Sequence, residues 1–299
     1  MNIDSLYKKI IYVTIFIAIL IMIMVYLKNI LLYHPTKFSK KKYDIFYQRL
    51  FNLTGSSNFI INLEIVTSDG ILLDTIYIKN PNVDSCIIFF HGNAGNISMR
   101  FDMIKFLYNY SSVLIFDYRS YGKSSGNSVT LTCDKLLIDS RTILEYTIHT
   151  LKFKPSKISL FGESLGCSIA IFLAAELSKT LDSKNYLHAI ILNSPFYSLE
   201  SIIESVFDKI GIGFWGKLFS VIYGREYKSN EWIQLINHQT KIMIAHSLRD
   251  EVIPYQESNR LYKLIHSIHP NVKFITITGT HNDVGLTEEY IYLLSDLIE

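Results

Sequence analysis

The chain has 299 residues, 49% of them apolar and 19% charged, with a formal net charge of +2 at pH 7. That length buries a sizeable core and admits one large α/β domain or two small ones, and the composition excludes a disordered polymer. Lysines spread along a near-neutral chain, clustered only at Lys40, Lys41 and Lys42, imply no nucleic-acid partner, and the three scattered cysteines Cys86, Cys133 and Cys167 form neither a disulfide framework nor a zinc site.

The first element is apolar. From Ile10 to Leu27 the run IIYVTIFIAILIMIMVYL carries no charge, and continued past Lys28 to Tyr33 it reaches the roughly 20 residues that span a bilayer. A cleaved signal peptide is the competing reading, but the run exceeds a typical h-region of about 7–15 residues and no small-x-small cleavage site follows. Residues 1–33 are therefore expected to form an uncleaved single-pass anchor, with the lipid bilayer as partner of residues 10–33. Lys8 and Lys9 precede it, whereas Lys28, Lys37, Lys40, Lys41 and Lys42 follow, an excess that favours a cytosolic catalytic domain. Sequons at Asn52, Asn96 and Asn109 would be open to glycosylation in a lumenal domain, but Asn96 falls in a loop read below as the mouth of the site.

Residues 34–59 read as a juxtamembrane connector, and residues 60–299, free of repeats and long linkers, as one domain. It opens with INLEIV and ILLDTIYI around Ser68, Asp69 and Gly70, an antiparallel hairpin. The short apolar runs CIIFF, SVLIFD, KISLF, HAIILN, KIMIAH and VKFITIT follow, with amphipathic segments such as LTCDKLLIDSRTILEYTIHTL between several of them. Such alternation predicts an α/β fold with a mostly parallel sheet and helices on both faces, its ligand crevice at the carboxyl ends of the strands.

Residues with chemistry do follow those strands. CIIFF ends in the turn His91-Gly92-Asn93-Ala94-Gly95-Asn96. KISLF runs into Gly162-Glu163-Ser164-Leu165-Gly166 and then the helix-forming CSIAIFLAAELS, the strand–turn–helix context of a G-x-S-x-G nucleophile elbow. Ser164 is the expected nucleophile, at a helix N-terminus that favours developing negative charge. The backbone N–H groups of Asn93 and Leu165 are the expected oxyanion hole, and His91 a brace for the loop. Cys167 is a rival nucleophile only in name, since it falls inside the first turn of the following helix. Residues 198–235 are expected to form a small cap. Its aromatics, Phe214, Trp215 and Tyr223, could line an acyl pocket, although such residues more often pack.

KIMIAH ends in HSLRDEVIP, which places Asp250 in a loop at a strand end, and VKFITIT ends in Gly279-Thr280-His281-Asn282-Asp283. In this reading His281 is the base and Asp250 the acid that orients it, with Glu251 and Asp283 as near rivals. The order Ser…Asp…His is that of α/β-hydrolases and not of the chymotrypsin or subtilisin types.

Taken together, FFHGNAGN, FDYRSYGKSSG, GESLG, HSLRDEVIP and THND, with LLYHP after the apolar run, closely resemble the α/β-hydrolase superfamily. Within it they are most similar to the membrane-anchored abhydrolase-domain group that includes bud-emergence-type proteins and protein depalmitoylases. The resemblance covers the chain after about residue 30. It implies an eight-stranded sheet, acyl-enzyme chemistry and no cofactor or metal, and carries over Ser164, Asp250, His281, Asn93 and Leu165. Ser120 and Thr280 stand where that group usually has glycine. The expected function is hydrolysis of an acyl ester or thioester substrate, as by a lipid esterase or depalmitoylase. A serine exopeptidase on the same fold and a non-catalytic membrane scaffold are the alternatives.

Overall fold

The computed structural model describes residues 7, 9–16, 19, 32–180, 186–209 and 211–298. Most of the expected anchor, residues 10–33, lies outside the described residues; residues 10–16 and 19 are helical. Among the described residues no helix is long and apolar enough to cross a membrane.

The expected strands assemble into one sheet. They are β1 (Ile60–Val66), β2 (Leu72–Ile78), β3 (Cys86–Phe90), β4 (Ser112–Phe116), β5 (Ile158–Glu163), β6 (Ala189–Asn193), β7 (Lys241–Ser247) and β8 (Val272–Gly279), joined by a two-residue ninth, β9 (Val284–Gly285). Their order across the sheet is β1-β2-β4-β3-β5-β6-β7-β8-β9. The six strands from β3 to β8 are parallel; on one edge β2 pairs antiparallel with both β4 and β1, and on the other β9 pairs antiparallel with β8. The eight expected strands are all present, and β9 adds a short return after β8.

Helices cover both faces: α1 (Lys40–Thr54), α2 (Phe101–Tyr108), α3 (Cys133–His149), α4 (Leu165–Thr180), α5 (Leu199–Lys209), α6 (Gly213–Tyr223), α7 (Ser229–Trp232), α8 (Tyr255–His266) and α9 (Glu288–Ile298). Alternate residues of the central strands point to opposite faces. Ile88 and Phe90 join a core with α3, α4 and α8, whereas Ile87 and Phe89 join one with α1, α2 and α9. All five residues of β3 are fully buried, which is why the strand reads as an uninterrupted apolar run.

The connector packs on the domain: α1 sinks Tyr43, Phe46 and Leu50 into the core, and His34–Pro35 pairs in parallel with Ala94–Gly95. Tyr33, expected as the last residue of the anchor, is instead buried in that core with its hydroxyl against Tyr227. Ser120 has φ +72°, the left-handed region where glycine is at ease, which is the physical reason a glycine suits that position.

Candidate active site

Ser164 sits between the last residue of β5 and the first of α4, with φ +52°. A non-glycine residue there stores on the order of 1–3 kcal/mol of strain, which the surrounding packing must hold. A Cβ on Gly166 would lie 2.1 Å from the Phe90 carbonyl oxygen, and one on Gly162 would lie 2.6 Å from Cys167 Cα. Only glycine lets the turn pack this closely. The Ser164 N–H donates to Asn193 O at the end of β6 (2.9 Å), tying the elbow to the neighbouring strand. The Cys167 thiol is buried, donates toward Gly162 O and Asn193 O, and is pushed well above its ordinary pKa by that burial.

Three loops from three strand ends converge here. Ser164 Oγ lies 3.1 Å from His281 Nε2, and His281 Nδ1 lies 2.7 Å from Asp250 Oδ2. The other carboxylate oxygen of Asp250 accepts from the N–H groups of Val252 (2.9 Å) and Ile253 (2.7 Å). Burial alone would raise the Asp250 pKa, but hydrogen bonds from His246 and His281 outweigh it and hold the carboxyl well below the usual range. With Asp250 ionised, His281 carries its proton on Nδ1 and turns the Nε2 lone pair to the serine hydroxyl. Of the rivals, Glu251 accepts from the backbone N–H of His281 (3.1 Å) and Asp283 lies in the cavity wall.

The loop after β3 packs directly on the elbow: a Cβ on Gly92 would lie 3.5 Å from Ser164 Cβ. Asn93 lines the same cavity as Ser164 and His281, and Leu165 opens α4, where helix geometry leaves the N–H without an intrahelical acceptor. His91 is fully buried, with its ring against Tyr118 and Tyr121 and its Nδ1 2.7 Å from Gly92 O. Burial pushes its pKa down to about 3, so it is neutral and braces the loop, as expected.

The cavity holds about 420 Å³, and around Ser164 and His281 its wall includes His34, Met99, Arg100, Met103, Val252 and Leu286. The cap aromatics Phe214 and Trp215 do not line it. They lie in the first turn of α6, 78% and 52% exposed, beyond the stretch where Phe207 and Phe219 join α5 to α6. Two features went unread in the sequence. Arg100 bridges loop and elbow, its Nε 3.3 Å from Glu163 and an Nη donating to Ala94 O, and burial raises the Glu163 pKa against the pull of Arg100. His246 lies 3.2 Å from Asp250 Oδ2; its place at a strand end, four residues before Asp250, was the only signal available. Among the described residues no His, Cys, Asp or Glu cluster is arranged to hold a metal ion.

Comparison with known proteins bears on the fold and the family. The chain is 51% identical over 292 residues to the uncharacterized protein R595 of Acanthamoeba polyphaga mimivirus, covering 98% of this chain and 99% of that one. It is 28% identical over 242 residues to the protein bem46 of Schizosaccharomyces pombe, covering 79% and 75% respectively. Among solved structures, the esterase Pf2001 of Pyrococcus furiosus superposes with a TM-score of 0.65 at 20% identity, covering 89% of this chain and 97% of that one, a likeness of fold. No protein-family model matches the chain. The chain belongs to the same family as R595 and, within the α/β-hydrolase superfamily, to the bud-emergence-type group.

Proposed function

We propose that this bud-emergence-type α/β-hydrolase is a membrane-anchored serine hydrolase of carboxylic esters or thioesters, with Ser164 as nucleophile, His281 as base and Asp250 as its acid partner. The observation that carries this reading is the unbroken hydrogen-bonded chain from Ser164 Oγ through His281 to Asp250. As Ser164 Oγ attacks the acyl carbon, its proton passes to His281 Nε2, and Asp250 stabilises the imidazolium. The N–H groups of Asn93 and Leu165 receive the oxyanion. Collapse expels an alcohol or thiol that takes the proton from Nε2. Water then attacks the acyl-enzyme by the same route, releasing the carboxylic acid and restoring Ser164. The reaction is complete without a cofactor.

The substrate reading rests on size, polarity and reach. About 420 Å³ lies within the range of small-molecule sites, and methionine, valine and leucine side chains in the wall offer an acyl chain apolar contact beside the polar Arg100, Asp102 and Asp283. The apolar run ends at Leu27, and Leu32 is hydrogen-bonded to Asn93 at the cavity. Five residues span at most about 17 Å, so an anchor that ends at Leu27, with Leu32 and Tyr33 docked on the hydrolase domain, would keep the cavity within that distance of the bilayer surface. Side chains of the described part of this run, Ile11, Val13, Ile15 and Phe16, are each more than half exposed, as lipid-facing groups would be. A membrane-borne acyl ester, or a thioester on a lipidated protein, is then the nearest substrate, and the lysine excess after residue 27 favours the cytosolic face.

The test is turnover of p-nitrophenyl esters of graded chain length, and of an S-palmitoyl peptide, by the full chain in detergent. Hydrolysis lost in Ser164→Ala is expected. A folded wild type that cleaves only amides would favour an exopeptidase, and one that cleaves nothing, a scaffold.

A further inference from the structure

An oxyanion loop must hold its N–H group to within a few tenths of an ångström of where the negative oxygen forms. The loop from His91 to Asn96 contains Gly92 and Gly95, the latter at φ +90°, and glycines alone give a backbone little rigidity. On the core side it is held by the hydroxyls of Tyr118, which donates to His91 O (3.1 Å), and Tyr121, which donates to Asn93 O (2.8 Å).

Arg100 adds a bond to Ala94 O, and the rest of the support comes from residues 32–37, N-terminal to the hydrolase sheet. Asn93 Nδ2 donates to Leu32 O, the Thr36 N–H donates to Gly95 O (3.2 Å), and Asn96 Nδ2 donates to Thr36 O (3.1 Å) and Lys37 O (3.4 Å). Asn96 is fully buried, so these carbonyls take the place of water. On its other edge the segment is bonded to the loop after β4: the Gly122 N–H donates to Thr36 O (3.0 Å) and the Phe38 N–H to Gly122 O (3.1 Å). Both ends are pinned. The Tyr33 hydroxyl lies 2.8 Å from that of Tyr227, and on α1 the Tyr43 hydroxyl donates to Asp117 (2.8 Å), whose second oxygen accepts the Ile97 N–H (2.9 Å). His34 itself lines the cavity.

We infer that residues 32–37 are a positioning strap for the oxyanion loop, so that turnover at Ser164 requires the segment leading to the apolar run to stay docked in the active site. This rests on the serine-hydrolase reading above. The strap contributes mainly backbone carbonyls, the loop the Asn93 and Asn96 amides that bind them. With the strap away, the buried amide of Asn96 has lost its protein acceptors and Gly95 O its donor, a state that costs more than the bonds themselves contribute. The loop is then free to leave the geometry in which the Asn93 N–H meets the oxyanion. The end of the apolar run and the reacting centre are thereby one mechanical unit.

Asn96→Asp in the full chain tests this. The aspartate keeps the oxygen that caps Ser98 N (3.1 Å) and accepts from Ser98 Oγ (2.6 Å), but it puts an acceptor where the strap carbonyls need a donor. Asn93→Asp does the same at Leu32 while keeping its own backbone N–H, and serves should the first variant fail to fold. For p-nitrophenyl butyrate, kcat is expected to fall about 10- to 100-fold, as small misplacements of reacting groups do, with KM within about threefold. Wild-type kcat in a folded variant, or a change confined to KM, overturns the strap alone. Absence of any Ser164-dependent turnover in the wild type overturns the serine-hydrolase reading, and the strap with it.

Discussion

Asp250 Oδ2 lies 3.2 Å from Nε2 of His246, a fully buried histidine, and it is the same oxygen that His281 reaches at 2.7 Å. His246 is fixed from behind by Ser258 Oγ, which lies 2.5 Å from its Nδ1 and 2.7 Å from Pro195 O, and its Nε2 also lies 3.0 Å from Ile253 O. The carboxylate is thus held between two imidazoles and two backbone N–H groups, which leaves it one orientation in which to meet His281.

His246→Leu, which keeps bulk but removes the donor, is expected to lower kcat about tenfold or more, because a carboxylate released from its support orients His281 less well. His246→Gln, which can place an N–H near the same point, is expected to retain more of the activity. Steady-state kinetics of the two variants side by side is the check; equal rates would show that His246 serves packing alone.

Cys167 stands three residues beyond Ser164, the proposed nucleophile, yet its thiol is fully buried, hydrogen-bonded to two carbonyls and raised in pKa. A protonated, inaccessible thiol is unreactive. Treatment of the folded protein with iodoacetamide is expected to leave turnover unchanged and Cys167 unmodified by peptide mass; inactivation in step with its alkylation would make the thiol part of the chemistry.

Asp117 gives the fold a pH signature. Burial pushes its carboxyl up to about 7, against the hydrogen bonds from Tyr43 and the Ile97 N–H that favour the charged form. The folded state therefore holds this proton more tightly than the unfolded chain does. The stability it contributes is fully present below the unfolded carboxylate pKa of about 4 and is lost as pH rises through about 7. Asp117→Asn cannot titrate, so its melting temperature should gain on that of the wild type between pH 5 and pH 8. A gap that does not move with pH would contradict the assignment.

Much of this was legible in the sequence because it is local. A buried strand announces itself as an apolar run such as CIIFF, the elbow as two glycines flanking Glu163-Ser164-Leu165, and the order of Ser164, Asp250 and His281 along the chain matches one superfamily. What the sequence hid is contact between distant segments. Nothing in Leu32-Tyr33-His34-Pro35-Thr36-Lys37 shows that its backbone will bond to Asn93, Gly95 and Asn96, since carbonyls carry no sequence signature. His246 ends the run KIMIAH and Arg100 lies within ISMRFDMIKFLY, and neither run shows that these side chains meet Asp250 and Glu163. Phe214 and Trp215, read as packing more often than lining a pocket, do neither: the first turn of α6 leaves them exposed and off the cavity wall.

An activated Ser164 reacts with a fluorophosphonate whatever the natural substrate is. The full chain in detergent, treated with the probe and weighed intact, should gain a single adduct, located on Ser164 by peptide mass and absent from Ser164→Ala. A folded wild type that gains none, or one that gains it elsewhere, would contradict Ser164 as the nucleophile.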